Sequence, residues 1–186
     1  MKKIIPGIIL CACLWSCNDD KQAETLSAVT ADSGSVKKGP TEVLDLSEAD
    51  GVKAGYAALS KGDVDGMTAN YDDNAKWFFS GGDSAIGKQA IKDYWNGRLK
   101  LIETLTFPEI IVLPVKLNET QSPRYAPNGK WVFTWTMTQV KYKNGKTLNF
   151  WVHTDYYYNE AGKIINVIQF IDRHPIIEAT KGLVKK

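Results

Sequence analysis

Two long segments with a period of two residues, joined by a tight turn, constrain the fold of this chain most. Apolar and polar side chains alternate from Lys130 to Lys143, and a second such segment runs from Thr147 to Tyr158 after Asn144-Gly145. An Asn-Gly pair between two such segments is typical of a β-hairpin turn. A further turn at residues 159–162 leads into a third segment, Lys163 to Asp172. The sequence therefore predicts an antiparallel meander of three strands.

Helical spacing is typical of the first half of the chain. Ser47 is placed to cap a first helix, Asp63 to cap a short second one, and a third helix spans about Gly87 to Lys100. A short strand at Ala75 to Ser80 precedes the third helix. The strand Leu105 to Lys116 contains two prolines, which predict an edge position or a β-bulge. Helices followed by a meander indicate an α+β fold, with helices packed on one face of a curved antiparallel sheet.

The N-terminus resembles an export signal. Two lysines precede an apolar segment, Ile4 to Trp15, which is shorter than the ~20 residues that span a bilayer. Leu14-Trp15-Ser16-Cys17 resembles the lipobox of bacterial lipoproteins, which implies that Cys17 is acylated and anchors the chain to the lipid bilayer. Cys13 is a rival acceptor, and a plain secretory signal is the alternative. Polar residues begin directly after Cys17, which favours it.

The residues after Cys17 predict a tether and a location. Residues 18–40 contain no aromatic side chain, whereas 19 of the 20 aromatic residues lie between Tyr56 and Phe170. Asn18-Asp19-Asp20 resembles the acidic stretch that directs some Gram-negative lipoproteins to the outer face of the outer membrane. We therefore expect an exported, outer-membrane-anchored protein that can face the exterior. The predicted organisation is a signal peptide at 1–16, a flexible tether at 17–43, a folded domain at 44–175 and a C-terminal tail at 176–186.

Composition excludes several classes of site. Removal of residues 1–16 leaves 21 basic and 21 acidic residues, so no general charge favours nucleic acid. All three cysteines lie within the first 17 residues, so the domain has no disulfide, thiol nucleophile or zinc–thiolate site. The sequence contains no phosphate-binding loop, nucleotide motif or metal-ligand spacing. We therefore expect no cofactor, no bound metal and no nucleic-acid partner.

Four short motifs, in order along about 125 residues, resemble the nuclear transport factor 2-like superfamily. They are Ala57 to Gly66, Tyr71 to Ala75, Gly87 to Ile91, and Gly162 to Asp172. The resemblance implies a cone, in which a bent sheet wraps around a long helix and encloses an apolar cavity. Members include ketosteroid isomerase, SnoaL-like polyketide cyclases, limonene epoxide hydrolase and scytalone dehydratase. Because one fold carries such different activities, the resemblance does not fix the chemistry.

The catalytic carboxylates that the resemblance implies are absent. Phe79 occupies the position of the ketosteroid isomerase base, and Thr154 occupies that of its oxyanion-binding acid. Gln169 replaces an aspartate of the epoxide hydrolase pattern, and glutamine cannot take a proton at neutral pH. Tyr56 matches the tyrosine of the first helix. His153 and Asp155, two residues apart and therefore on one face of a strand, are the closest acid–base pair.

The orientation of the last hairpin decides between functions. Pairing across residues 159–162, with partner numbers that sum to about 321, puts Val152, Thr154 and Gln169 on one face. The resemblance assigns this face to the cavity. His153 and Asp155 then lie on the convex face, which is often a dimer surface in this superfamily. A one-residue bulge would exchange the two faces.

Three functions remain open at this point. The first is a lipid-anchored domain that binds a small apolar molecule without catalysis. Its candidate ligand-binding residues are Tyr56, Trp77, Phe79, Trp95, Val152, Thr154 and Gln169. The second is an isomerase, cyclase or hydro-lyase that uses His153 and Asp155. The third is an interaction module that forms a homodimer through the convex sheet face.

Overall fold

The described part of the chain covers the predicted domain apart from residues 119–127, and only residues 41–43 of the predicted N-terminal segments. A computed structural model describes residues 41–118 and 128–183. The predicted signal peptide, Cys13, Cys17 and the tether as far as residue 40 lie outside the described residues. Acylation, export and the tether therefore stay predictions. Among the described residues, no helix is both long and apolar enough to cross a membrane.

Helices and strands alternate in the first half, and a meander of long strands follows. A single 3-10 turn at Leu46–Ala49 precedes the first α-helix. The elements are β1 (Glu42–Val43), α1 (Asp50–Leu59), α2 (Val64–Met67), β2 (Tyr71–Phe79), β3 (Ser84–Ile86), α3 (Lys88–Leu99), β4 (Ile102–Leu117), β5 (Gly129–Tyr142), β6 (Thr147–Tyr158), β7 (Ile164–Phe170) and α4 (His174–Thr180). The fold is α+β, as predicted.

All seven strands form one curved, unclosed sheet in the order β1-β4-β5-β6-β7-β2-β3. The predicted meander of β5, β6 and β7 is present and antiparallel. β2 runs parallel to β7, so the sheet is mixed rather than wholly antiparallel. The register of β4 shifts between Thr106 and Glu109, beside Pro108, as the prolines predicted. The helices pack on the concave face and bury one common core with it.

Local side-chain chemistry begins the first two helices. The Asp63 carboxylate accepts a hydrogen bond of 2.8 Å from the Gly66 amide and caps α2, as predicted. The first cap differs from the prediction, because Asp45 rather than Ser47 supplies it. The Asp45 carboxylate accepts a 2.8 Å hydrogen bond from the Ser47 amide and begins a 3-10 turn that leads into α1. Val52, Tyr56 and Leu59 follow on the buried side of α1.

The folded domain is longer at both ends than predicted, because it includes the end of the predicted tether and the start of the predicted tail. Val43, at the end of the predicted tether, pairs with Val115 as part of β1. The predicted tail from residue 176 begins inside α4, whose residues Ile176 and Ala179 are buried. Short apolar segments of this kind carry too few residues for a periodic pattern, so their packing on the domain decides their structure.

The last hairpin has the predicted faces but a different register. Beside the turn, Tyr158 pairs with Ile164. A one-residue bulge at Ile165 then shifts the pairing, so that Thr154 lies opposite Gln169 rather than opposite Val167. From Tyr157 onward, the residue numbers of paired residues on β6 and β7 sum to 323, whereas the predicted sum was about 321. The predicted register is therefore wrong by two residues. A shift of two residues preserves which side chains share a face.

Candidate functional site

An internal cavity lies between the helices and the concave face of the sheet. Its volume is about 70 Å³, several times the roughly 10–15 Å³ that one water molecule requires. α1 and α3 line it on one side, and β2, β4, β5, β6 and β7 on the other. Apolar side chains form most of its surface, among them Leu59, Met67, Leu105 and Ile164.

The structure brings six of the seven candidate ligand-binding residues to this cavity. Those that line it are Tyr56, Trp77, Phe79, Trp95, Val152 and Gln169. Thr154 does not line it, although it lies on the same face of β6. Its side chain is completely buried, and its carbonyl accepts a hydrogen bond from the neighbouring strand. Whether the six residues bind a ligand stays a prediction.

A chain of hydroxyl groups crosses the cavity wall. The Tyr156 hydroxyl donates to the Tyr56 hydroxyl at 3.0 Å, and the Tyr56 hydroxyl lies 3.1 Å from Thr134 Oγ1. Thr134 donates to the Thr154 carbonyl at 3.0 Å. A hydroxyl has one hydrogen to donate, so Thr134 must accept from Tyr56. Each of the three hydrogens is therefore donated to the next member of the chain, which ends at the Thr154 carbonyl, and none is free for a ligand.

Aromatic rings form one end of the cavity. Phe79 and Tyr94 have ring centroids 4.7 Å apart, and Trp95 lies 5.7 Å from both Tyr94 and Trp77. The indole Nε1 atoms of Trp77 and Trp95 are shielded from solvent, and neither has a hydrogen-bond partner among the described residues. An indole N–H can only donate, so both are unused donors.

The titratable side chains that line the described cavity are tyrosines and arginines. They are Tyr56, Tyr71, Tyr94, Tyr142, Tyr156, Arg98 and Arg173. Burial raises the pKa of Tyr71 and of Tyr156 well above the usual value, so these hydroxyls stay protonated. Burial also raises the pKa of Tyr142, and the nearby Arg98 guanidinium partly offsets that rise. The described lining contains no Asp, Glu, His, Lys or Cys.

Arg98, Tyr142 and Arg173 were not among the candidate site residues from the sequence. Arg98 lies four residues after Tyr94 and therefore one turn further along the same face of α3. The Arg98 guanidinium carbon is 5.8 Å from the centroid of the Tyr94 ring. This spacing was a usable signal. Tyr142 and Arg173 reach the cavity only through tertiary packing, which the sequence does not encode locally.

His153 and Asp155 lie on the opposite, convex face and do not line the cavity. His153 Nδ1 is 3.0 Å from the Thr134 carbonyl oxygen, which can only accept, so this nitrogen carries a hydrogen. His153 Nε2 lies 2.7 Å from Asp155 Oδ1, although the angle is not that of a hydrogen bond. Burial raises the pKa of Asp155, and the neighbouring His153 opposes that rise.

The His153 ring forms part of an aromatic row on this face. Its centroid is 4.7 Å from that of Trp135 and 5.6 Å from that of Phe170. These three residues are register partners on β5, β6 and β7. No group of three or more potential metal ligands occurs in the described ranges. His153 and Asp155 therefore lie among aromatic rings on the outside of the sheet, and neither lines the apolar cavity between the helices and the sheet.

The comparisons with known proteins agree with this architecture. A family model described as the SnoaL-like domain matches residues 52–167, which is more than half of the chain. The chain belongs to the SnoaL-like domain family. The resemblance to the nuclear transport factor 2-like superfamily is thereby confirmed. A comparison with curated proteins gives no match.

Solved structures show the same fold at low sequence identity. A protein from Xanthomonas campestris, assigned as a polyketide cyclase, is 18% identical with a TM-score of 0.57, over 71% of this chain and 95% of its own. A protein from Bacillus subtilis, assigned as an isomerase, is 18% identical with a TM-score of 0.54, over 73% and 94%. TerC, co-crystallised with polyporic acid, is 14% identical with a TM-score of 0.54, over 73% and 98%. At these identities the likeness concerns the SnoaL-like fold alone.

Proposed function

We propose that this SnoaL-like domain is the soluble part of a lipid-anchored cell-envelope protein and binds a small apolar molecule in its cavity without transforming it. The apolar lining and the space for several water-sized spheres support the binding function. TerC has been co-crystallised with polyporic acid, which supports ligand binding by this fold.

The side chains that line the described cavity support the proposal that the bound molecule is not transformed. Enolisation, dehydration and epoxide opening each need a group that takes up or gives a proton near neutral pH. No carboxylate, imidazole, amine or thiol lines the described cavity, and the buried tyrosines stay protonated. Tyr56 cannot serve as an oxyanion donor while its hydrogen is committed to Thr134.

The alternative is an enzyme that uses His153 and Asp155. Its strongest support is their 2.7 Å contact, because a close histidine–carboxylate pair can act in acid–base catalysis. Their position among Trp135 and Phe170, on the face opposite Val152, argues against it. A substrate in the cavity would be separated from both side chains by the sheet.

A cavity-filling substitution tests the binding function. Val152→Trp should abolish binding of a neutral probe, 2-naphthamide, because Val152 lines the cavity and the added indole fills part of it. His153→Ala is the matched control. It lies one residue away, on the other face of the sheet, and should leave the affinity for 2-naphthamide unchanged. The opposite result, with binding lost in His153→Ala and kept in Val152→Trp, would replace the proposal with the enzymatic alternative.

The lipid anchor rests on the sequence around Cys17. The apolar segment ends at Trp15, and the tether that follows is polar. Cys17→Ala should release the protein from the membrane fraction, whereas Cys13→Ala should leave it there. Retention of the Cys17→Ala protein in membranes would contradict acylation at this residue. Surface labelling of intact cells would then test the proposed outward-facing location in the outer membrane.

We also propose that the convex face joins two copies of this chain. Large exposed apolar side chains lie together on neighbouring strands of this face: Phe78, Ile111, Leu113, Trp135, Trp151 and Phe170. A contiguous exposed apolar surface is typical of an interface. Phe170→Glu should convert a dimer into a monomer in sedimentation velocity, while Ile177→Glu, an exposed apolar position on α4, should not. A wild-type monomer at high concentration would overturn this proposal.

A further inference from the structure

The cavity has an unbalanced positive charge beside its aromatic end. Arg98 is half-buried on α3, with its guanidinium near the Tyr94 ring and the Tyr142 hydroxyl. Among the described residues, no carboxylate oxygen lies within 4.0 Å of the Arg98 side chain, and none lines the cavity. A partly buried cation without a counter-ion favours an anion, because solvent and salt screen it less than a surface charge.

Arg173 provides a contrast at the same end. It also lines the cavity, and its guanidinium carbon is 5.9 Å from the Phe79 ring centroid. Its Nη1 atom donates to Asp83 Oδ1 at 2.6 Å, however, so its charge is neutralised outside the cavity. Of the two arginines, only Arg98 therefore has its charge available for a ligand.

The unused hydrogen-bond donors of this region form an independent observation. Trp77 is 3% exposed, and its Nε1 atom has no partner among the described residues. Trp95 Nε1 is likewise unpaired and lies on α3 three residues before Arg98. Buried polar groups in native proteins are nearly always hydrogen-bonded, so two buried donors without partners point to a ligand or water that accepts from them. Tyr56 and Tyr156 do not compete, because their hydrogens are already donated.

We infer that the ligand of this cavity is an apolar molecule with a single acidic group, an aromatic or aliphatic carboxylate, whose oxygens lie beside Arg98. This inference rests on the proposed binding function and names the class of ligand. The planar guanidinium of Arg98 matches the two oxygens of a carboxylate. The apolar body of the ligand lies against the rings of Phe79, Tyr94 and Trp95, which Trp77 backs.

A matched pair of probes separates charge from shape. 2-Naphthoate and 2-naphthamide have the same ring system and nearly the same size, but only the first carries a charge at pH 7. Isothermal titration calorimetry is performed on the full chain in mild detergent, with detergent alone as the blank. We expect 2-naphthoate to bind at least about tenfold more tightly than 2-naphthamide, since a charge-assisted bidentate contact replaces a neutral one.

Variants of the two arginines locate the charge. Arg98→Met should reduce the affinity for 2-naphthoate to that for 2-naphthamide in the same variant. Cooperative urea unfolding, followed by tryptophan fluorescence, shows whether this variant is folded. Arg98→Lys should retain part of the preference for 2-naphthoate over 2-naphthamide, because lysine keeps the positive charge but lacks the planar guanidinium that donates two parallel hydrogen bonds. Arg173→Met is the matched control, and it should change the ratio of the two affinities by less than about threefold, because Asp83 already neutralises the charge of Arg173.

Each remaining outcome counts against a stated step. Equal affinity of the wild-type protein for both probes overturns the inference and leaves the proposed binding function intact. A preference for 2-naphthoate that survives in Arg98→Met, or that is lost only in Arg173→Met, overturns the assignment to Arg98. Absence of binding by both probes overturns the proposed function, and the inference with it. If Arg98→Met does not fold, the wild-type protein is titrated at higher salt, which must weaken the binding of 2-naphthoate but not that of 2-naphthamide. An affinity for 2-naphthoate that does not change with salt overturns the inference.

Discussion

Removal of the Tyr56 hydroxyl should expose how strongly the buried hydroxyl chain stabilises the domain. Tyr56→Phe deletes the acceptor of Tyr156 and the donor to Thr134, which lie 3.0 Å and 3.1 Å away. Tyr156 is 5% exposed, so its hydroxyl would be left as a buried donor without a partner. An orphaned buried donor costs about 1–3 kcal/mol, and the loss at Thr134 adds roughly 0.5–1 kcal/mol. We expect the free energy of unfolding to fall by about 2–3 kcal/mol.

The second substitution in this pair should cost less, and the two should not add. Tyr156→Phe removes only the terminal donor, because Tyr56 still donates to Thr134, so about 1 kcal/mol is expected. In the double variant no orphaned donor remains, and Thr134 keeps its bond to the Thr154 carbonyl. The double variant should therefore cost no more than Tyr56→Phe alone, which corresponds to a coupling energy of at least about 1 kcal/mol.

Urea denaturation followed by tryptophan fluorescence measures all three free energies of unfolding. Tyr157→Phe is the matched control, since the Tyr157 hydroxyl donates to the Asn128 carbonyl at 3.3 Å at an exposed position. That variant should change the free energy of unfolding by less than about 0.5 kcal/mol. Additivity of Tyr56→Phe and Tyr156→Phe within about 0.3 kcal/mol would refute the hydroxyl chain, because uncoupled side chains behave in that way.

Three further predictions concern pH and the tether. Burial raises the pKa of Asp155 above its ordinary value of 3.8, so the stability that Asp155 contributes is full below pH 3.8 and is lost as the pH rises through the folded-state pKa. Urea denaturation should therefore show that the wild-type protein loses stability relative to Asp155→Asn over this range of pH. Parallel curves for the two proteins would contradict the prediction. Burial likewise raises the pKa of Tyr71, Tyr156 and Tyr158, so these tyrosines should ionise only as the domain unfolds above pH 10, which absorbance at 295 nm measures. Reversible ionisation of these tyrosines in the folded state would argue against their burial. Deletion of residues 18–40 should leave the thermal midpoint unchanged, because this segment has too few apolar side chains to repay ordering, and a drop of many degrees would show that it packs on the domain.

Long periodic segments were predictable from sequence, and short ones were not. The meander from β5 to β7, the Asn144-Gly145 turn and helix α3 follow from local pattern and turn chemistry, and each is present. β1 and α4 are too short to show a period, and they form because Val43 pairs with Val115 and because Ile176 is buried. The parallel pairing of β2 with β7 joins segments about 90 residues apart, so no local signal could reveal it.

The candidate site divides along the same line. Phe79, Val152 and Gln169 reach the cavity because alternation along a strand fixes their face. Arg98 was within reach of the sequence, since it follows Tyr94 by one helical turn. The sequence could not show that the Arg98 charge is unpaired, because the absence of a counter-ion among the described residues depends on elements distant in sequence. Thr154 shows the converse: the correct face does not ensure contact with the cavity, since Thr154 is packed within the sheet.

One extra residue in β7 determines which chemistry the cavity contains. Beside the turn, Tyr158 pairs with Ile164, and continuation of that register would place Phe170 on the cavity face and Gln169 outside. The bulge at Ile165 reverses this from Val167 onward, so that Gln169 enters the cavity and Phe170 joins His153 on the convex face. The same alternation keeps His153 and Asp155 on the face opposite Val152. The separation of an aromatic outer surface from a carboxylate-free, donor-rich interior in the described residues thus follows from the register of a single hairpin.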